Sequence, residues 1–380
     1  MATYLSSDMY LPALPTVMKS FGVSHAEAQS TLTVWFLGSI SVQLILGPIA
    51  DRFGRKPVLC FGAVLFVLSS IACALATNFN AFLLARFFQG SSICFMAVPG
   101  YAAIHESFNQ KEAIKILAIM GSVAVLAPAF GPVIGSVILV LLDWHWIFWF
   151  LVLWSTISAV SLIIWMPETL PPKKRQLLTM TPVLKNYLRI ISNKQFIGTL
   201  TVYGLLFCAF ITWIAAGPFL VIADFNSTPF MFALYQGLIF FSIISANYFV
   251  KKLIDHTGAK KMILFSLFFS LMTCTVSVIT SYAYPHVMLG IIITYIIFAF
   301  TSGFSAAPLT RLTIEASNEP MGARMAIFSM FVSGFATLAT ILVSLFYNGT
   351  ILSLSMMLFV MVLLATIIWM HQYFNDISVK

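Results

Sequence analysis

The stretch DRFGRKP, residues 51–57, returns in outline as DHTGAKK at residues 255–261. Asp51, Gly54 and Lys56 recur as Asp255, Gly258 and Lys260, each 204 residues later. Both copies are short polar links between long apolar stretches, and both fall at the same place within their half of the chain. A repeated link at a repeated place marks a duplicated unit.

The surroundings of the two links say what was duplicated. The 380 residues are 60% hydrophobic and 8% charged, with a mean hydropathy of +0.98; a soluble domain carries about a quarter charged residues. A spanning helix needs about 20 mostly apolar residues. Twelve such stretches are legible: 1–19, 27–50, 57–77, 80–105, 112–141, 144–166, 195–222, 229–250, 262–281, 286–310, 321–347 and 350–373. The first is short and the most polar. The one long break, PETLPPKKRQLLTMTPVLKNYLRIISNK (167–194), is Pro-rich and basic, and its latter part has the pattern of an amphipathic surface helix. The expected architecture is an all-α membrane protein of twelve transmembrane helices in two pseudo-symmetric six-helix bundles, residues 1–166 and 195–380. A loop over 167–194 joins them, and the first helix is short at its N-terminal end.

The net charge of +8 would suggest nucleic acid in a soluble protein. Here the basic residues sit in short loops, and with both termini on one side that side receives 18 of the 20 Lys and Arg. The bias places the termini and the central loop in the cytoplasm and implies no nucleic-acid partner. Five cysteines lie inside apolar segments without a C-x-x-C pair, which argues against a disulfide framework and a zinc site. No H-E-x-x-H, G-x-S-x-G or P-loop pattern occurs, and the six histidines lie at span ends or in loops. An enzyme and an ATP-driven pump are both disfavoured on that count.

Two charges remain deep in apolar sequence, Asp8 in span one and Arg86 in span four. A charge at the bilayer centre costs about 2.5–3.5 kcal/mol even on the lenient insertion scale, so such residues normally pair inside the bundle. Asp8 and Arg86 are each other's evident charged partner. The pair reads either as a structural tie between spans one and four or as transport and proton-handling chemistry. Tyr4 lies four residues before Asp8 and Gln89 three after Arg86, so each adds a polar group to the same helical face. Ile93, Ala97 and Tyr101 continue the Arg86 stripe, and Ala124 of span five is assigned to the same lining. A face part polar, part aromatic and part small reads as a cavity wall.

The second half has no such charge. Its deep polar residues are neutral (Tyr203, Thr212, Trp213, Tyr235, Gln236, Asn247, Tyr295), with Asp224 at an outer mouth. Trp213, Tyr235, Gln236 and Asn247 are the candidates for an adaptable, largely apolar substrate wall. Span five carries APAFGPVIGS (127–136), whose prolines and glycines either bend the helix or let a neighbour approach closely.

These stretches together resemble the major facilitator superfamily, and within it the twelve-span drug:proton antiporters of the MdfA and Bcr/CflA type. GPIADRFGRKP (47–57) is similar to the family's loop motif between helices two and three, and LLARFFQG (83–90) to its helix-four motif with a buried arginine. FGPVIGS (130–136) resembles the helix-five antiporter motif, and SDMYLPALP (7–15) the helix-one drug-exporter motif. GYAAIHESF (100–108) and LTRLTIEAS (309–317) look like the MdfA type in particular. The resemblance runs along nearly the whole chain.

The resemblance implies roles. Asp8 would be the protonatable group, regulated by Arg86 and Gln89; burial disfavours a carboxylate and a nearby guanidinium favours it. Gly47, Asp51, Arg52, Gly54 and Arg55 would form the gating loop, with Asp51 near Gly322 at the start of helix eleven and Arg55 engaging Glu106. Gly131, Pro132 and Gly135 would shape the helix-five seal, and Arg311 would belong to the gate of the second half. Ala127 and Ser136 stand where the family favours glycine. MdfA-type relatives carry a second membrane acid about two turns before the aspartate, a position that would precede Met1. Either the true start lies upstream of Met1, or the protein works with one membrane carboxylate. The expected function is proton-coupled efflux of lipophilic drug-like small molecules across the bacterial inner membrane. It would need no cofactor, run on the proton gradient, and work as a monomer in contact with membrane lipid. The alternative is an exporter of the same fold dedicated to one metabolite.

Overall fold

The computed structural model describes residues 2–172, 175 and 180–378. Among them there is no β-strand. Among the described residues nine helices are long and apolar enough to cross a membrane, or ten when one bent pair counts as a single span. The other two expected stretches are helical as well.

The first of these departs from the expected single helix. It is broken into α1 (Ala2–Asp8), a 3-10 turn (Leu11–Ala13) and α2 (Leu14–Phe21). Pro12 and Pro15 explain the break, since neither can donate to the preceding turn. Gly22, at φ +64°, then reverses the chain. A capping box between Ser24 and Glu27 starts α3 (His25–Ser41). A 44° bend at Val42 leads into α4 (Gln43–Phe53). Then come α5 (Arg55–Ala74), α6 (Phe79–Ser107, capped by Asn78), α7 (Gln110–Leu141, capped by Asn109) and α8 (His145–Trp165).

The central stretch contributes α9 (Met180–Ser192), an amphipathic helix as expected. Asn193 caps α10 (Lys194–Pro218), which continues through a wider π turn over Phe219–Asp224. The remainder is α11 (Pro229–Thr257, capped by Thr228), α12 (Ala259–Ala283), α13 (Met288–Glu315), α14 (Met321–Phe346) and α15 (Ile351–Ser378).

The chain divides into two compact units, Met1–Leu184 and Lys185–Lys380, with the boundary inside the central stretch. In the first unit α6 packs on α3 and α5, α5 on α8, and α1 on α7 and α8. In the second, α13 packs on α11 and α12, α12 on α15, and α10 on α14 and α15. These pairings correspond when α1, α3, α5, α6, α7 and α8 are matched to α10 through α15, and α10 packs on α13 in addition. The echoed link is conformational too: Gly54 and Gly258 have φ of +103° and +74° and precede α5 and α12. Only glycine adopts that backbone readily.

Candidate functional site

Arg86 is a charged side chain enclosed in the first unit with no solvent exposure. It reaches its place because α6 packs against α3 and α5 through small residues. A methyl on Gly90 would collide with the Trp35 carbonyl, and Gly38 is equally close to the α6 backbone. Arg86 Nη1 donates to the Ser6 carbonyl at 3.2 Å and to Gln89 Oε1. Gln89 Nε2 in turn donates to Ser70 Oγ at 2.8 Å. The rest of the guanidinium lies among rings: its carbon is 4.8 Å from the Tyr10 centroid, 5.9 Å from Trp35 and 6.0 Å from Phe148. Tyr10 is held by a 3.0 Å hydrogen bond to Thr31 Oγ1 and by packing on Phe82 and Phe148.

The expected ion pair between Asp8 and Arg86 is not formed. The cation is stabilised instead by a carbonyl, an amide and aromatic faces, whose quadrupoles attract it. The broken helix supplies the reason: α1 ends at Asp8, and the turn that follows brings Tyr10 rather than Asp8 to the guanidinium. Asp8 is 5% exposed and accepts a 3.3 Å hydrogen bond from Ser7 Oγ. Its backbone is pressed against α7. A methyl on Gly131 would sit 2.7 Å from Asp8 Cβ, and one on Gly135 would collide with the Met9 carbonyl. The span-five glycines thus work by close approach. Pro132, Ala127 and Ser136 are buried in the same helix.

The loop motif builds a second cluster. Arg55 pairs with Asp51 at 2.6 Å and with Glu106 at 2.9 Å, the latter as the sequence implies. Asp51 is held by Arg55 within its own unit. Two further residues complete the cluster that sequence reasoning passed over. Glu168 Oε1 accepts from the backbone N–H of Arg55 at 2.9 Å and of Leu170 at 3.0 Å, and Arg175 approaches its other oxygen at 3.7 Å. Thr169 Oγ1 donates to Glu106 Oε2 at 2.7 Å. A carboxylate at the first turn of α5 satisfies a free donor and the positive end of the helix dipole. Gly54 is required by its φ, and its bare Cα also leaves room for the Glu168 carboxylate. The available signal was an acid immediately past the end of a span, at the start of the basic central stretch.

Other expected residues are placed as follows. Ile93 and Ala97 are half-buried and Tyr101 exposed along α6, while the side chains of Tyr4 and Ala124 lie outside those described. Arg52 is exposed and stacks over Phe53, Gly47 has open space around it, and Arg311 pairs with Glu315 at 2.8 Å on α13. In the second unit Trp213 and Gln236 are enclosed and bonded to each other, indole N–H to Oε1 at 2.6 Å. Thr212 and Tyr295 share a 2.7 Å hydrogen bond beside them, and Trp213 stacks on Phe232 and meets the Tyr295 ring at a tilt. Tyr235 is half-buried and Asn247 exposed on α11. Asp224 accepts from the Tyr347 hydroxyl at 2.6 Å; burial first, and this carboxylate second, push the phenol well above the usual tyrosine range. Among the described residues no group of three or more His, Cys, Asp or Glu could hold a metal ion.

Two duplicated helical units, membrane-length helices and a desolvated arginine define a multi-span membrane transporter. Residues 1–340 match the Major Facilitator Superfamily, and the chain belongs to that superfamily, whose members are transporters and not enzymes. It is similar to the multidrug resistance protein MdtM of Escherichia coli O157:H7, 31% identical over 333 residues, which are 87% of this chain and 80% of that protein. It is likewise similar to the multidrug transporter MdfA of Edwardsiella piscicida, 30% identical over 334 residues, or 87% of this chain and 81% of the relative. The fold matches the solved structure of a POT family transporter in complex with a thioalcohol-conjugated peptide. There the TM-score is 0.76 at 13% identity, covering 100% of this chain and 95% of that one. The human organic anion transporter MFSD10 matches with a TM-score of 0.66 at 16% identity, over 97% and 96%.

Proposed function

We propose that this chain exports lipophilic drug-like molecules across the bacterial inner membrane in exchange for protons. The observation that carries the reading is Asp8, a carboxyl enclosed in the helical unit with its neighbouring cation engaged elsewhere. Similarity to the multidrug transporters MdtM and MdfA supports the substrate class.

Asp8 is the proton carrier. A carboxyl without a counter-ion in a low-dielectric setting takes up a proton easily, and a guanidinium brought near it would drive the proton off. Arg86 is anchored by the carbonyl of Ser6, two residues before Asp8 on α1, and by Gln89, so a shift of α1 changes the distance between acid and cation. Protonation from outside favours substrate release, and deprotonation inside resets the carrier. The Arg55 cluster ties the ends of α4, α5 and α6 to the start of the central stretch, which suits a gate that opens and closes as one body. Alternating access follows from the duplicated architecture.

No cofactor takes part; the proton gradient supplies the energy. The termini lie in the cytoplasm, in line with the distribution of Lys and Arg, and the protein works as a monomer surrounded by lipid. Asp8→Asn tests the mechanism. Proton-driven efflux from everted vesicles should be lost while the protein remains in the membrane, and undiminished efflux overturns the mechanism. Resistance to dyes, phenicols and quaternary ammonium compounds, compared with single metabolites, separates multidrug export from a dedicated exporter.

A further inference from the structure

The two units are alike in helix pairing but differ at one matched place. In the first unit the bent α4 folds over α5 and α6, and Leu46, Ala50, Val58 and Cys94 form a close-packed cluster there. Gly62 lets α5 and α6 come together until a Cβ would meet Phe95. In the second unit α11 runs unbroken to Thr257, and Ser266 stands 204 residues after Gly62. Ser266 donates to the Thr301 carbonyl at 2.7 Å, and Ser270 bonds Thr301 Oγ1 at 2.8 Å. The matched place is left open, a groove of about 440 Å³.

Its walls are Leu253 and Thr257 of α11, Met262, Phe265 and Phe269 of α12, and Phe300 and Phe304 of α13. The hydroxyls of Ser266 and Thr301 are spent on the helix contacts, so the groove presents carbon. From Met262 to Phe269 it follows α12 for about 10 Å, most of the depth of one leaflet, about 15 Å. One end lies at the α11–α12 turn, where the charge is concentrated. Lys251, Lys252, Lys260 and Lys261 stand there against a single carboxylate, Asp255. Lys261 is one turn before Phe265 and two before Phe269 on the same face of α12. It is exposed and makes no ion pair among the described residues. Lys252 is steadied over the Tyr248 ring at 4.6 Å.

We propose that this groove binds one anionic phospholipid, with an acyl chain between α11, α12 and α13 and the headgroup phosphate at Lys261. An apolar slot of leaflet depth closed by cations at the headgroup level fits an amphiphile with a negative head. A neutral lipid would fill the slot and leave Lys261 without an anion. The first unit cannot bind in the same way, because α4 occupies the slot and Arg55, beside Lys56, is already paired. The proposal needs only the membrane-spanning fold and stands whether or not the exported molecules are drugs.

The test is native mass spectrometry of the full chain, delipidated and given phosphatidylglycerol or phosphatidylcholine of the same acyl length. One phosphatidylglycerol should be retained per protein, and phosphatidylcholine about fivefold less. Lys261→Gln should reduce phosphatidylglycerol to the phosphatidylcholine level. Leu253→Trp, which fills the slot from its exposed side, should lower retention of both. Equal retention of the two lipids by the parent chain overturns the proposal, and so does phosphatidylglycerol retention unchanged in both variants. Unaltered elution and melting of Lys261→Gln separate a lost contact from a lost fold.

Discussion

The backbone N–H of Arg55 donates to the Glu168 carboxylate at 2.9 Å, across 113 residues of sequence. The acid thereby caps α5 at the turn where the side chain of the same arginine pairs with Asp51 and Glu106. One residue further on, Thr169 binds Glu106. The first residues of the central stretch therefore close the loop motif, and the motif is incomplete without them. Glu168→Ala should destabilise the purified protein by about 1 kcal/mol, as removal of a helix cap does. Glu168→Gln, which keeps an acceptor, should cost less. Thermal unfolding in detergent reads both, and a Glu168→Ala melting curve identical to the parent's would show that the cap contributes nothing.

The close approach of α7 to Asp8 gives a second prediction. Gly131→Ala and Gly135→Ala each push a methyl into the backbone or Cβ of Asp8–Met9, which cannot swing aside as a side-chain tip can. Each should cost about 1–3 kcal/mol and slow efflux. Gly290→Ala, with nothing within 4 Å of its added methyl, should be neutral or slightly stabilising. Melting temperatures of the three variants check the ranking.

Periodicity and composition carried most of the architecture, because apolar length and the repeated link are properties of the chain itself. The glycines at 54 and 258 even share their unusual φ. The break in helix one was signalled by Pro12 and Pro15 but hidden by the expectation of one continuous span. The bend at Val42 had no signal: that residue is neither Pro nor Gly, and Pro48 lies six residues further on. At the site, burial of Asp8, Arg86 and Gln89 was legible from polarity in an apolar setting. Their partners were not. Sequence logic pairs a cation with the nearest anion, whereas Tyr10, Trp35 and Phe148 are indistinguishable in sequence from ordinary core rings. Glu168 was missed for a related reason, since a contact over 113 residues leaves no local pattern.

Arg86 tests whether shape or charge holds this centre. Lysine keeps the charge but loses the planar group that lies against Tyr10 and bonds Ser6 and Gln89 together. Arg86→Lys should therefore cost about 2 kcal/mol. Tyr10→Phe, which keeps the ring and loses only the bond to Thr31, should cost about 1 kcal/mol. If Arg86→Lys melts with the parent, charge alone suffices and the aromatic cage is incidental.

Trp213 and Gln236 give the corresponding test in the second unit. Trp213→Phe removes the indole N–H and leaves Gln236 Oε1 buried without its donor. The expected cost is about 2 kcal/mol, near the desolvation penalty of an unpaired buried acceptor. Adding Gln236→Leu to Trp213→Phe should restore part of that loss, because both polar groups are then gone. A double variant less stable than the single would show that Gln236 has a task beyond this bond.

The last prediction concerns pH. Tyr347, between α14 and α15, donates its hydroxyl to Asp224 at 2.6 Å. Burial and the adjacent carboxylate both favour the protonated phenol, so its folded-state pKa lies above the unfolded value of about 10. The sign follows from linkage: the unfolded chain gives up this proton first. The contribution is complete below about pH 10 and is lost as pH rises from there towards the folded value. Tyr347→Phe should lower stability by about 1 kcal/mol at neutral pH and also flatten the alkaline limb. Melting temperatures of parent and variant between about pH 8 and pH 11 should converge as the pH rises. A constant difference across that range would mean that the phenol titrates in the folded protein as it does in the unfolded chain.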